Sequence, residues 1–128
     1  PHVGGSQTAA FCVGGLGPPQ LGVVEEYNGT SWTETTDINT PKAGMGGSGT
    51  TALAIVFGGS TPSKSNETEY WDGSTWAQLA TQATARDAGA SAGTASTAAL
   101  WIMGAQPGYA TTVEEWTVGD AAQTVTTS

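Results

Sequence analysis

Adjacent carboxylates are the first feature of this sequence that could do chemistry. Glu25-Glu26 and Glu114-Glu115 have the composition of an acid–base pair, or of acidic loops around a calcium ion. Two carboxylates acting on one substrate must converge on one cleft. Neighbouring residues of a strand point to opposite faces of a sheet, so a structural or solvated role is expected, with hydrogen bonding to a neighbouring sheet as one form of it. The remaining inventory is short. His2 is the sole histidine and Cys12 the sole cysteine. A catalytic triad needs a positioned base, and a zinc site needs several His or Cys ligands at set spacings. The expectation is no catalytic residue, no metal and no cofactor. Cys12, within Phe11-Cys12-Val13, reads as a small buried hydrophobe, and alone it can close no intrachain disulfide. His2 reads as a structural or solvent-facing residue.

Other local patterns mislead. Asn28-Gly-Thr30 and Asn66-Glu-Thr68 fit the glycosylation sequon, but Asn28-Gly29 has the stronger reading of a hairpin turn. Gly44 to Gly49 does not lead into a helix, which argues against a phosphate loop. Asp37 and Asp87 read as turn or linker residues.

Composition narrows the function classes. Net charge is −8, with only Lys42, Lys64 and Arg86 positive. Binding to a phosphate backbone needs several cationic contacts, so no nucleic-acid partner is expected, and an anionic membrane surface is equally disfavoured. No apolar run is long enough to span a bilayer as a helix. The first residue is Pro1 rather than Met, which reads as a processed chain or a fragment. Charged residues are 11 % of the 128, against about 25 % in an average soluble domain. With 19 glycines and few strong helix formers, a helical bundle is excluded. The five tryptophans must carry a large share of any core.

The elements that position these residues repeat. The first copy reads Thr8 to Gly15, a loop, then Glu25 to Trp32. The second reads Thr51 to Gly59, a loop, then Glu69 to Trp76. The third reads Thr97 to Ala105, a loop, then Glu114 to Asp120. Gly14 to Gly58 and Trp32 to Trp76 are both 44 residues apart, and Pro41-Lys42 recurs at the same offset as Ala85-Arg86. From the second copy to the third the offset is 45 by Trp71 to Trp116 and 46 by Gly58 to Gly104. Each copy parses into four short strands: a small-residue strand (His2 to Ser6, Gly44 to Ser48, Gly89 to Ala92), an apolar strand ending in Gly, and a hairpin. The hairpin turns on Asn28-Gly29 or Asp72-Gly73, the signature of a type I′ turn. The expected fold is all-β: three four-stranded antiparallel blades of a β-propeller, as one repeat domain divided at about 1–43, 44–88 and 89–128. Small first strands suit the crowded axis of such a fold, and the tryptophans suit the wider gaps further out.

These residues resemble the kelch family. Its blade has an apolar strand ending in Gly-Gly, a variable loop, an aromatic residue, and a Trp shortly after. Gly14-Gly15 with Tyr27 and Trp32 fits, as does Gly58-Gly59 with Tyr70 or Trp71 and Trp76. Lys42 and Arg86 stand where the family's basic residue stands. The third copy keeps Gly104 and Trp116 but has Ala105 for the second Gly and Ala121-Ala122 where Trp is expected. Kelch-type copper-radical oxidases need Tyr, Cys and His ligands, and sialidase-like propellers need an arginine cluster; the resemblance extends to neither. The Lys-poor, Gly/Thr/Ala-rich character also resembles kelch-like repeats in virion proteins of marine tailed phages. That implies a non-enzymatic fibre, decoration or receptor-contact component at a virion or extracellular location. The alternative is a lectin-like propeller that binds a glycan or receptor.

Closed propellers have about four to eight blades, so three require completion, either by oligomerisation, such as a dimer of six blades, or by missing blades. Expected partners are a second copy or other virion proteins. The exposed ends near Pro1 to Ser6 and Ala121 to Ser128 are the expected contact regions. The loops between second and third strands (Leu16 to Val23, Ser60 to Glu67, Gln106 to Thr112) differ between copies. They offer Gln20, Lys64, Asn66, Gln106 and Tyr109 as candidate binding residues, because loops carry function more often than scaffolds.

Overall fold

The computed structural model describes residues 1–106, 108–109, 111–118 and 123–127, with the backbone alone at 94, 106, 109, 118 and 123–127. Every regular element in it is a strand. The first sheet contains β1 (His2–Ser6), β2 (Ala9–Gly15), β3 (Leu21–Tyr27) and β4 (Trp32–Glu34). The second contains β5 (Gly46–Gly49), β6 (Ala54–Phe57), β7 (Thr68–Trp71) and β8 (Trp76–Gln78). The third contains β9 (Ala90–Ala95) and β10 (Ala98–Ile102). Its loop carries a small hairpin of β11 (Ala105–Gln106) and β12 (Gly108–Tyr109), and β13 (Val113–Val118) and β14 (Gln123–Thr127) complete it. Each four-stranded sheet is antiparallel, with its strands side by side in chain order. We call these blade-like sheets blades 1, 2 and 3. The described residues form no closed ring.

Cross-strand register aligns the blades residue by residue. Cys12 pairs with Glu25, Val56 with Glu69, and Trp101 with Glu114. Alternation along strands then gives each blade two faces. The front face carries Cys12, Glu25 and Tyr27 in blade 1, Val56, Glu69 and Trp71 in blade 2, and Trp101, Glu114 and Trp116 in blade 3. The back face of blade 1 carries Phe11, Val13 and Val24. These pack with Ile38 and Met45 against Ala54, Val56, Trp71 and Trp76 of blade 2. Likewise Ile55 and Phe57, on the back of blade 2, pack against Ala99, Trp101 and Trp116 of blade 3. The core is thus two repeats of one contact, back face onto next front face. Burying side chains of this size contributes roughly 1.5–3 kcal/mol each.

The inner strands β1, β5 and β9 face one groove of about 670 Å³ lined mainly by Gly, Ser and Ala, with His2, Val3 and Thr50. Small residues are required there. A Cβ on Gly46 would fall inside the ring of Trp101, and one on Gly47 would press on the His2 imidazole.

Three sequence expectations change. The hairpins are four-residue loops rather than type I′ turns, because Asn28 keeps ordinary φ and only Gly29 turns positive, at 93°. Asn28 Oδ1 instead accepts the N–H groups of Thr30 and Ser31 at 3.0 Å. Asp72 does the same for Ser74 and Thr75; the N–H of Thr75, then that of Ser74, lowers the Asp72 carboxyl to about 2. Second, the first variable loop is shorter than Leu16 to Val23, since β3 begins at Leu21. Third, the glycine pair of blade 3 is out by one. Pairing Phe57 with Thr68 and Ile102 with Val113 puts Met103 at the place of Gly58 and Gly104 at that of Gly59. Met103 accordingly holds φ 55°, beside 67° at Gly58. The same logic puts Val125 opposite Trp116, as Trp32 and Trp76 stand opposite Tyr27 and Trp71. The expected site of that substitution, Ala121-Ala122, lies outside the described residues.

Two substitutions test this packing. Met103→Gly should raise stability by about 1 kcal/mol in urea unfolding, by removing left-handed strain from an exposed side chain. Gly46→Ala should lower it by about 2 kcal/mol or more, as overpacking does.

Candidate functional site

The polar device of this fold sits between blades, in the linkers. After β4 the chain is held to its own blade: Thr35 donates its N–H to Val24, Ile38 donates to Gly22, and Lys42 accepts from Gly15. After β8 the pattern recurs, with Leu79 donating to Thr68, Gln82 donating to Asn66, and Arg86 accepting from Gly59. The glycine pairs exist to admit this segment. A Cβ on Gly14 would lie 2.6 Å from the Lys42 carbonyl, and one on Gly58 would lie 2.8 Å from that of Arg86.

The linker is held to the preceding blade by these backbone bonds, while its cationic side chain and further backbone groups reach into the next. Lys42 Nζ lies 3.3 Å from Glu69 Oε1 and 3.4 Å from Glu67 Oε2 of blade 2, with Lys42 and Glu69 fully buried. The other contacts of Glu69 come from the same linker, whose Asn39 and Thr40 N–H groups donate at 2.8 and 3.1 Å. Trp76 Nε1 donates to the Thr36 carbonyl at 3.0 Å, and the Asn39 amide donates to the Trp76 carbonyl at 2.9 Å. In blade 3 the positions recur. Arg86 Nη2 lies 2.7 Å from Glu114 Oε2, and Ala83 donates its N–H to Glu114 Oε1 at 2.8 Å. Arg86 Nη1 also donates to the Met103 and Thr112 carbonyls. One buried carboxylate, two backbone donors or one, and a cation from the preceding linker form the recurring unit. A buried charge is tolerable only when so partnered.

Blade 1 has the same receiving face with no linker on it among the described residues. Glu25 is exposed, where Glu69 and Glu114 are buried. Trp32 is 49 % exposed against 7 % for Trp76. The surroundings are nonetheless already in place. The Tyr27 and Trp32 rings lie 5.3 Å apart at 34°, and the Trp71 and Trp76 rings 5.3 Å apart at 36°. Val3, Cys12, Glu25 and Trp32 line an open hollow of about 350 Å³. Cys12, expected in the core, is therefore half-buried on an open face; register, not local hydropathy, decides its side. The opposite end is open too. The back of blade 3 presents Leu100 with Ala92, Ala98 and Glu115 around a hollow of about 220 Å³. The open surfaces are sheet faces, and the expected region near Pro1 to Ser6 contributes exposed Val3 to the first of them, while Ala121 to Ser128 are only partly described.

The loop candidates fare differently. Lys64 Nζ is paired with Asp87 at 2.8 Å, and the Asn66 amide donates to the Gln82 carbonyl at 3.2 Å. Both loop side chains fasten the linker between blades 2 and 3. Gln20 is half-buried beside Pro19, Thr40, Pro41 and Thr61. Gln106 and Tyr109 belong to the small hairpin, and their side chains lie outside the described residues. His2 packs against Phe11 at a centroid distance of 6.0 Å, and burial lowers its imidazole to about 4. Among the described residues no group of three His, Cys, Asp or Glu is placed to hold a metal, and no helix is long and apolar enough to cross a membrane. Glu69 is the residue that sequence reading passed over. Its signal was present: Glu25, Glu69 and Glu114 repeat in phase with Lys42 and Arg86.

Comparison with known proteins places the architecture. No family profile matches the chain, and no curated protein matches it. Among solved structures, one described as "Structure of YjhT" superposes with a TM-score of 0.81 at 20 % identity, over 98 % of this chain and 44 % of that one. The likeness is one of fold, and this chain spans less than half the length of that neighbour.

Two substitutions of one residue type separate covered from open positions. Glu69→Gln should cost about 3 kcal/mol, since it leaves a buried cation with only the part-exposed Glu67 as its carboxylate. Glu25→Gln should change stability by less than about 0.5 kcal/mol, as at ordinary surface sites. Equal effects in thermal or urea unfolding would contradict the assignment.

Proposed function

We propose that this chain is a non-enzymatic structural and interaction module that associates through its open blade faces. The observation that carries this is internal. The described residues bury a back face against a front face twice, and leave apolar side chains exposed on one face of each kind. The front of blade 1 shows Val3 at 60 % and Trp32 at 49 % exposure, and the back of blade 3 shows Leu100 at 37 %. Uncovered apolar surface of this sort marks sites of association. A second copy would supply the complementary face at each end, and two copies related by a twofold axis would close six blades. The kelch resemblance of the repeats supports the ring. The Lys-poor, Gly/Thr/Ala-rich composition supports a place on a virion surface or fibre, where copies assemble with one another or with other particle proteins.

Light scattering of the purified chain tests this. Association to twice the chain mass, lost in Trp32→Glu or Leu100→Glu, is the expected result. A strict monomer at high concentration, or turnover of a substrate, overturns it.

A further inference from the structure

The front face of blade 1 carries a more specific requirement than apolar cover. Its centre is Glu25, whose equivalents Glu69 and Glu114 each take a cation and backbone N–H groups from the linker of the preceding blade. The face also carries Glu34, paired directly opposite Glu25 across β3 and β4, where blade 2 pairs Glu69 with the neutral Gln78. Like charges directly opposite on a sheet repel. Two exposed carboxylates beside an indole already set in its ring pair favour a cation there, as Glu67 and Glu69 do around Lys42. Trp32 Nε1 further asks for a carbonyl, as Trp76 Nε1 takes that of Thr36.

We infer that this face is the receptor for a blade-linker segment: an extended strand that offers a carbonyl to Trp32, N–H groups to Glu25, and, three residues after the first of those N–H groups, a lysine or arginine to Glu25 and Glu34. This rests on the association reading above and names the chemistry of the partner. The spacing comes from the chain itself, in which Asn39 supplies the first N–H and Lys42 the cation, as Ala83 and Arg86 do one blade later. The occupant is a further blade whose trailing linker is basic.

The probe is a synthetic peptide with the sequence of residues 35–43, added to the ¹⁵N-labelled protein while the indole N–H resonance of Trp32 is followed. Trp32→Phe identifies that resonance. The expected result is a saturable shift of this signal, with affinity falling about tenfold when the peptide lysine becomes Gln or the protein carries Glu25→Gln, as loss of a charge-assisted contact implies. A peptide that leaves Trp32 unmoved at millimolar concentration overturns the inference, as does one that binds equally well without its lysine. Dimers by light scattering alongside a silent peptide would show the face covered by a second copy, which removes the linker receptor and leaves the association reading standing. Peptide binding by a monomeric chain would do the reverse.

Discussion

Burying a lysine or an arginine in so small a structure is costly, and here it is done at both blade junctions. Lys42 and Arg86 are fully buried, and each meets a buried glutamate of the next blade. Desolvating such a pair costs several kcal/mol per ion, which Coulomb attraction offsets only with good geometry and further hydrogen bonds. Those bonds are supplied by the linker that carries the cation. Asn39, Thr40 and Ala83 donate N–H groups to the same carboxylates. The arrangement is therefore self-consistent only when linker, glycine pair and next blade are all in place. It fixes blade spacing and register together, and apolar packing alone would be more forgiving.

Much of the unusual composition follows from that constraint. The glycine pairs leave room for the linker carbonyls. Small inner strands let neighbouring blades approach, so that Trp101 can lie over Gly46. The tryptophans then fill the outer gap, and Trp76 is also tied to the linker by its indole N–H. Met103 shows how a substitution persists within the pattern. It keeps the left-handed conformation of its glycine equivalent because the surrounding pairs dictate it.

The same constraint gives the open faces their meaning. A receiving face that is complete in its aromatic pair but lacks a linker is a half of a known contact rather than a generic surface. Function, in this reading, is what completes the stack. Of the variable-loop residues, Lys64 and Asn66 hold a linker down.

The repeat, the all-β class, the strand boundaries to within a few residues and the small-residue inner strands were legible in the sequence. Each depends on local periodicity, turn chemistry or steric bulk, which neighbouring residues settle among themselves. The sequence also displayed the two cations and three glutamates in phase. It could not show that they meet, because the partners lie 27 or 28 positions apart, in different blades. Nor could it say that Cys12 faces outward, that Met103 rather than Gly104 begins the third glycine pair, or that Val125 stands where Trp was expected. Those follow from pairing register, and register is fixed by which face each strand must bury against its neighbour. Whether Glu25 is a buried partner like Glu69 or a waiting one was decided by tertiary structure alone, since the two residues have the same local sequence role and differ only in what packs on them.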